Sequence, residues 1–258
     1  MLAAAVARNG TGAAVVCGDE RFSWQQVDAL ATRLAGALHG QGVVAGDRVA
    51  LLLDNGVPFV LAVFACAKLG AIVVPLGVRS QTPELVHALN DCGAVLVIAD
   101  AALAPRLPLA SETPELRHSW VVGAGPAESA FAKVLLTHAT APAHDAAEDD
   151  VAAILYTSGT TGRCKGAMIT HQNLSSNALT LHAYWGFKPG DILLHALPIF
   201  HVHGLFVACH TALLNGSKML FHSRFDAIAV IGSDTTDTPE TVHQLGIQVG
   251  WLESGSVG

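Results

Sequence analysis

The spacing of apolar positions predicts three helices in the first hundred residues. The first begins at Ser23, which has the spacing of a capping box with Gln26, so that each side chain can satisfy a free backbone donor. The apolar positions that follow lie on one helix face: Val27, Leu30, Ala31, Leu34 and Leu38. The second helix is predicted over residues 58–70 and the third over 82–93, because each has a proline in its first turn and stops at a glycine.

Short, continuously apolar runs separate these helices and are typical of buried strands. They cover residues 48–53, 71–74 and 94–98. Strands that alternate with helices at this spacing are joined by right-handed crossovers and form a parallel sheet. The predicted fold class is therefore α/β, with a doubly wound, mainly parallel sheet.

The pattern weakens over residues 101–150, which are rich in alanine and proline and predict a partly helical connection on the surface. Beyond this segment the regular elements resume. The predictions are a strand at 151–155, a helix capped by Thr170 and ending near Trp185, a strand at 191–194, an apolar helix at 204–214 and a strand at 218–221.

The last part of the chain differs from the rest. Residues 232–239 are turn-like, and no lysine or arginine occurs after Arg224. We therefore divide the chain into a domain over residues 1–230 and a tail over residues 231–258.

The composition agrees with a folded α/β protein. Hydrophobic residues make up 51% of the chain, charged residues 14%, and the mean hydropathy is +0.44. This excludes a disordered chain and suits parallel strands that are covered on both faces. The longest apolar stretch, residues 57–76, is interrupted by Lys68, Gly70 and Pro75, so a membrane-spanning helix is not expected.

Charge and cysteine usage favour a cytoplasmic protein that does not bind nucleic acid. The net charge of −7 disfavours electrostatic capture of nucleic acid or an anionic membrane, although it does not exclude ATP. The amino terminus has no basic region before its short apolar part, so a cleaved signal is not expected. The five cysteines are odd in number and widely spread, which is typical of reduced thiols.

The strongest chemical signal is the glycine-rich segment at residues 156–166, Tyr-Thr-Ser-Gly-Thr-Thr-Gly-Arg-Cys-Lys-Gly. Glycines let backbone N–H groups approach phosphate oxygens, hydroxyls add hydrogen bonds, and Lys165 adds a positive charge. The spacing differs from the P-loop of ordinary NTPases, since Lys165 lies three residues after Gly162 and is followed by Gly166. The alternative is a flexible turn between two strands, which the length of the pattern disfavours.

This segment resembles the phosphate-binding motif of the adenylate-forming superfamily, which includes acyl-CoA synthetases, luciferases and peptide-synthetase adenylation domains. The resemblance extends from about residue 10 to about residue 230. The segments that agree with it are residues 46–49, residues 65–76 and the pattern Thr170-His171-x-Asn173-Leu174. Within the superfamily, residues 176–181 and 196–206 are most similar to malonyl-CoA synthetases.

The resemblance implies an ATP-dependent acid–CoA ligase. Such an enzyme converts a small carboxylic acid such as malonate, ATP and coenzyme A into acyl-CoA, AMP and pyrophosphate. Mg²⁺ accompanies the ATP. The nucleotide-binding residues it implies are Thr157, Ser158, Gly159, Thr160, Thr161, Gly162, Lys165 and Gly166. Thr161 and Lys165 are the implied catalytic residues, and His201 and Gly204 are the implied substrate-side residues.

Four histidines fall within residues 195–210, but a metal site is not predicted because no paired cysteine motif occurs nearby. His195, His203 and His210 are interpreted either as partly buried core residues or as functional ones. Cys164 stands beside Lys165, which would activate a thiolate; the alternative is a neutral replacement of similar size. We assign no basic residue to pair with a distal carboxylate of the substrate.

The resemblance also implies that the chain is the N-terminal part of a large domain, without a small C-terminal domain. We find no counterpart of the superfamily's Tyr-Gly-x-Thr-Glu segment, its ribose-binding aspartate or its C-terminal lysine. We expect family sequence to end near residues 228–231, through a frameshift, an alternative exon or an artificial junction. On this hypothesis the chain alone binds ATP weakly and makes no acyl-CoA.

Two alternative functions remain open. The chain belongs either to an enzyme that adenylates fatty or aromatic acids, or to a non-catalytic nucleotide-binding or regulatory protein that pairs with a full-length relative. Exposed sheet edges would support such pairing or self-association.

Overall fold

The computed structural model describes residues 1–123, 140–157, 163–188, 190–222, 225–226 and 228. Within them the chain forms six α-helices: α1 (Leu2–Asn9), α2 (Trp24–Gly40), α3 (Val57–Leu69), α4 (Thr82–Cys92), α5 (His171–Trp185) and α6 (His210–Asn215). A short 3₁₀-helix covers Ala104–Arg106, and a π-helix, His203–Cys209, runs directly into α6. None of the described helices is long and apolar enough to cross a membrane.

The ten strands described are β1 (Ala13–Cys17), β2 (Glu20–Ser23), β3 (Arg48–Leu52), β4 (Ile72–Pro75), β5 (Ala94–Asp100), β6 (His118–Val122), β7 (Val151–Thr157), β8 (Lys165–Thr170), β9 (Ile192–His195) and β10 (Lys218–Phe221). Six form a sheet in the order β6-β5-β3-β4-β7-β8, and four form a second sheet in the order β2-β1-β10-β9. Neighbouring strands are parallel except in the pairs β7–β8 and β1–β2.

Helices cover both faces of the six-stranded sheet. Val49 and Leu51 of β3 pack in one apolar cluster with α2 and α3, whereas Ala50 and Leu52 point to the other face and pack with Leu85 and other residues of α4. This alternation of side chains identifies a doubly wound sheet with a core on each face.

The second sheet packs on the far side of α3. Val15 of β1 and Met219 of β10 belong to the same apolar cluster as α2 and α3, so these helices lie between the two sheets. Consistent with this position, α3 is apolar around its whole circumference and buries Phe59, Leu61 and Cys66.

The predicted α/β class and the mainly parallel sheet are confirmed. The predicted capping box at Ser23 and the predicted cap at Thr170 are confirmed as the starts of α2 and α5, and the structure shows that the Thr170 cap is also a capping box. Gly70 and Gly93 end α3 and α4 in the left-handed conformation. Other elements were not predicted: α1, the β1–β2 hairpin, β6 and the division into two sheets.

One predicted helix differs from the structure, and the predicted tail lies outside the described residues. The apolar helix predicted over 204–214 begins as a π-helix and becomes an α-helix only at His210. The tail predicted over 231–258 lies outside the described residues, and so the domain boundary near residue 230 stays a prediction.

Candidate active site

The segments that follow β3 and β4 lie side by side, because these two strands are parallel neighbours in the six-stranded sheet. The chain runs from β3 through α3 to β4 on one face, and then through α4 on the opposite face to β5, on the other side of β3. In doubly wound proteins, ligands bind beyond the carboxyl ends of the strands.

A cavity of about 610 Å³ lies at this place. Its walls come from the segments that follow β3, β4 and β9, together with α4 and one residue beyond β10. The lining residues are Asp54, Asn55, Gly77, Val78, Arg79, Ser80, Glu84, Ala196, Pro198, Phe200, His201 and Phe225. The size and the mixture of apolar and polar groups suit a small organic ligand.

Asn55 joins the two sheets at the cavity. Its Nδ2 donates to the carbonyl oxygens of Leu197, at 2.7 Å, and His222, at 3.1 Å, while its Oδ1 accepts from the N–H of Ile199 at 2.8 Å. The amide's polar atoms therefore bond to the segments after β9 and β10. The segment after β9 carries Phe200 and His201 into the cavity wall.

His201 lines the cavity as an exposed, neutral imidazole. Burial of part of the ring lowers its pKa from the ordinary value, and the electrostatic influence of His203 and Arg79 lowers the pKa further. The ring lies 4.3 Å from the ring of Phe200, centroid to centroid. A neutral imidazole at this place can donate or accept a hydrogen bond with a bound carboxylic acid.

Arg79 brings a positive charge into the same cavity. It follows β4, is exposed, and acts electrostatically on His201. The sequence analysis assigned no basic residue to pair with a distal carboxylate, and Arg79 is a basic residue that lines this cavity. Asp54 and Glu84 also line the cavity, but the Glu84 carboxylate accepts a hydrogen bond from the Gln81 N–H as part of the cap of α4.

Gly204, the second residue implied on the substrate side, does not line the cavity. It is buried in the π-helix, and a Cβ at this position would lie 2.5 Å from the carbonyl oxygen of Pro198. A side chain here would therefore push the helix away from the segment that carries His201.

The other three histidines have different surroundings. His195 and His210 are buried, and burial lowers the pKa of each to about 4. His195 packs edge-on to Phe221, with its Nδ1 4.0 Å from the Cys209 sulfur. His203 is exposed at the start of the π-helix. Among the described residues no cluster of histidine, cysteine or acidic side chains could hold a metal ion.

The glycine-rich segment connects β7 to β8 at the same edge of the sheet as the cavity. Thr157, the last residue of β7, pairs directly with Lys165, the first residue of β8, and Lys165 is exposed. Both flanks of the loop are therefore fixed in the hairpin. Of the implied nucleotide-binding residues, Ser158, Gly159, Thr160, Thr161 and Gly162 lie outside the described residues, whereas Thr157, Lys165 and Gly166 lie within them.

Two residues of the segment have structural roles that its sequence did not show. Tyr156 pairs with Gly166 across the hairpin, and a Cβ at Gly166 would lie 3.2 Å from the tyrosine Cζ and 2.7 Å from Ile154. The glycine after Lys165 thus makes room for the ring. The Tyr156 hydroxyl donates to Asp91, and burial, with this hydrogen bond, raises the pKa of the phenol.

Comparison with known proteins defines the class to which this fold and site belong. The family model described as "AMP-binding enzyme" matches residues 2–249, and the chain belongs to this family. The match extends past residue 230, where the sequence pattern had changed.

The most similar relatives include several CoA ligases. A feruloyl-CoA synthase of Amycolatopsis sp is 36% identical over an alignment of 230 residues, and the match covers 85% of this chain and 43% of the relative. The long-chain-fatty-acid–CoA ligase FadD13 of Mycobacterium tuberculosis is 35% identical over 215 residues, 82% of this chain and 42% of the relative. The chain thus spans less than half the length of these curated relatives.

Solved structures of the family share the fold. ATP-bound MatB from Rhodopseudomonas palustris superposes with a TM-score of 0.80 at 33% identity, over 88% of this chain and 45% of that one. The inhibitor-bound N-terminal domain of FACL13 from Mycobacterium tuberculosis gives a TM-score of 0.83 at 32% identity, over 90% of this chain and 58% of that one. The fold is therefore that of the N-terminal region of these enzymes.

Proposed function

We propose that this chain provides the phosphate-binding loop and one wall of the acid-binding cavity of an ATP-dependent acid–CoA ligase. In the proposed reaction a carboxylate oxygen attacks the α-phosphorus of ATP, and the bond to the departing pyrophosphate breaks. The thiol of coenzyme A then loses its proton, attacks the acyl carbon and displaces AMP. The observation that carries this proposal is the β7–β8 hairpin, which sets exposed Lys165 beside Thr157 at the ligand-binding edge of the sheet.

Lys165 suits the role of a phosphate-binding cation. Its ammonium group is exposed, and its backbone is held in the β7–β8 pairing, so the charge lies at a defined end of the loop. Negative charge accumulates on the β- and γ-phosphates as the α-phosphorus bond breaks, and a fixed cation stabilises that charge. Mg²⁺ would arrive with the nucleotide, because this ion is bound mainly by phosphate oxygens and water.

Replacement of Lys165 tests this role. We expect Lys165→Ala to weaken binding of MgATP by about tenfold or more, because a charge-assisted contact to phosphate is lost. Isothermal titration calorimetry of the purified chain measures the effect. The matched control is Lys188→Ala. Lys188 is also exposed, but it precedes the amino end of β9, whereas the cavity lies beyond the carboxyl end of that strand. Equal losses in the two variants would contradict the assignment.

For the acid, we propose a small dicarboxylate. This rests on the Arg79 charge beside His201 in the cavity and on the resemblance of residues 196–206 to malonyl-CoA synthetases. A guanidinium pairs well with a carboxylate, so a second carboxylate would be favoured beside Arg79 and disfavoured near Asp54.

An acid-binding experiment separates this substrate class from others. We expect Arg79→Gln to weaken binding of malonate about fivefold or more and to leave propionate unchanged, because propionate has no second carboxylate. Ligand-observed NMR titration measures the dissociation constant of each acid. Arg21→Gln, an exposed arginine on β2, is the control. If Arg79→Gln weakens the binding of malonate and of propionate equally, the dicarboxylate proposal is wrong.

A fatty or aromatic acid is the second candidate. Phe200 and Phe225 line the cavity, and the relatives named feruloyl-CoA synthase and long-chain-fatty-acid–CoA ligase support this candidate. A third candidate is a non-catalytic nucleotide-binding chain that pairs with a full-length relative. Binding of ATP without pyrophosphate release, in the presence of acid and coenzyme A, would favour the third candidate.

A further inference from the structure

Helix α4 contacts the β7–β8 hairpin on both sides of the phosphate loop. Before the loop, the Tyr156 hydroxyl donates to Asp91 Oδ2 at 2.7 Å and lies 3.0 Å from the carbonyl oxygen of Ala88. After it, the Nε2 of His87 lies 2.8 Å from the carbonyl oxygen of Cys164. The helix therefore bonds to the residue before Thr157 and to the residue before Lys165.

The two contacts come from one face of the helix. His87 and Asp91 are four residues apart, a spacing that puts both side chains on the same side of α4. The rings of His87 and Tyr156 meet edge to face, with centroids 6.3 Å apart. The hairpin is thus held through a contiguous group of side chains.

The bond to Cys164 fixes more than one carbonyl group. Because a peptide unit is planar and trans, the Cys164 carbonyl and the Lys165 N–H point in opposite directions within one plane. When His87 donates to that carbonyl, the orientation of the whole unit is set, and with it the start of the Lys165 side chain.

The same helix also reaches the cavity. Glu84, in its first turn, lines the cavity and caps the helix, and Thr82 donates to the carbonyl oxygen of Arg106. Arg106 in turn donates to the carbonyl oxygen of Val78, a cavity residue, at 2.7 Å. One end of α4 is thus fixed at the acid cavity, and His87 and Asp91 lie further along it, against the loop.

We propose that His87 and Asp91 are positioning residues, which hold the two flanks of the loop so that Lys165 faces the nucleotide phosphates. This inference rests on the proposed function of the loop. His87 has the more direct role, because it bonds to the peptide unit that joins Cys164 to Lys165.

Alkylation of Cys164 tests, without any ligand, whether the hydrogen bond of His87 restrains the flank of the loop. In His87→Leu we expect the rate of Cys164 alkylation by iodoacetamide to rise about fivefold, since the flank opens more often once its bond is lost. His87→Gln keeps an amide N–H that can reach the same carbonyl and is expected to retain the original rate. The control is His118→Leu, because His118 is half-buried on β6, at the opposite edge of the sheet. Mass spectrometry of the chymotryptic peptide measures the rate, and thermal melting verifies that each variant is folded.

Titration of pyrophosphate into the same proteins tests the consequence for binding. His87→Leu is expected to bind about tenfold more weakly than the unaltered chain and His87→Gln about equally. Unchanged alkylation in His87→Leu would overturn the inference, and so would faster alkylation with unchanged pyrophosphate affinity. If the unaltered chain binds no pyrophosphate, the proposed function itself is wrong, and the phosphate role of His87 is rejected with it.

Discussion

At the scale of single residues, polar side chains from distant segments build the candidate site. Asn55 bonds to residues 197, 199 and 222, which lie 142 to 167 positions further along the chain. Each of its three bonds crosses from the six-stranded sheet to a segment of the second sheet. Removal of this side chain would leave two carbonyl groups and one N–H without their partner, at a net cost of about 1 kcal/mol or more for each bond.

His195 and His210 make the stability of the fold depend on pH. Each has a pKa of about 4 in the folded chain, because burial disfavours the charged ring, against an ordinary value of 6.5. The unfolded chain therefore binds more protons than the folded chain between pH 6.5 and 4. Stability is fully present above that range and falls as the pH drops through it, by about 1.4 kcal/mol per pH unit for each histidine.

The expected result is a steep loss of unfolding free energy from pH 7 to 5, measured by urea denaturation. His210→Phe should reduce the loss of unfolding free energy between pH 7 and 5, because a phenyl ring cannot take up a proton. The His210 ring already packs edge-on against Phe206, so an aromatic ring fits at this position. His118→Phe, on the half-exposed edge strand β6, is the control. The same slope in His210→Phe and in the unaltered chain would show that burial of His210 does not govern acid stability.

At the scale of elements, the features read correctly from the sequence are those with local causes. Capping boxes at Ser23 and Thr170 and left-handed glycines at Gly70 and Gly93 mark helix ends through neighbouring residues alone. The residues of the proposed phosphate loop could be picked out for a similar reason, because they form one continuous segment.

The elements that were missed depend on distant partners. Strand β1 pairs with β10, about 200 positions away, so no local pattern could assign them to a second sheet. Strand β2 is half-exposed and short. Strand β6 lies in the segment rich in alanine and proline, and β5 is its only partner among the described strands. The contacts of Asn55, Arg79 and His87 were missed likewise, since they form only when separate connections meet at one edge of the sheet.

At the scale of the whole molecule, both sheets pack against α2 and α3, and α4 covers the outer face of the larger sheet. This arrangement brings the β7–β8 loop and the cavity after β3 and β4 to one edge. The chain belongs to the AMP-binding enzyme family and shares its fold with ATP-bound MatB. The central claim is that the loop binds the terminal phosphates of a nucleotide.

Competition between phosphate ligands tests this claim most directly. Radiolabelled pyrophosphate is bound to the unaltered 258-residue chain in the presence of Mg²⁺, and ATP or AMP is added as the competitor. The proposed site predicts that ATP displaces pyrophosphate and that AMP, which has no β- or γ-phosphate, displaces it about tenfold less well or worse. Equal displacement by ATP and AMP, or no binding of pyrophosphate, would contradict the claim.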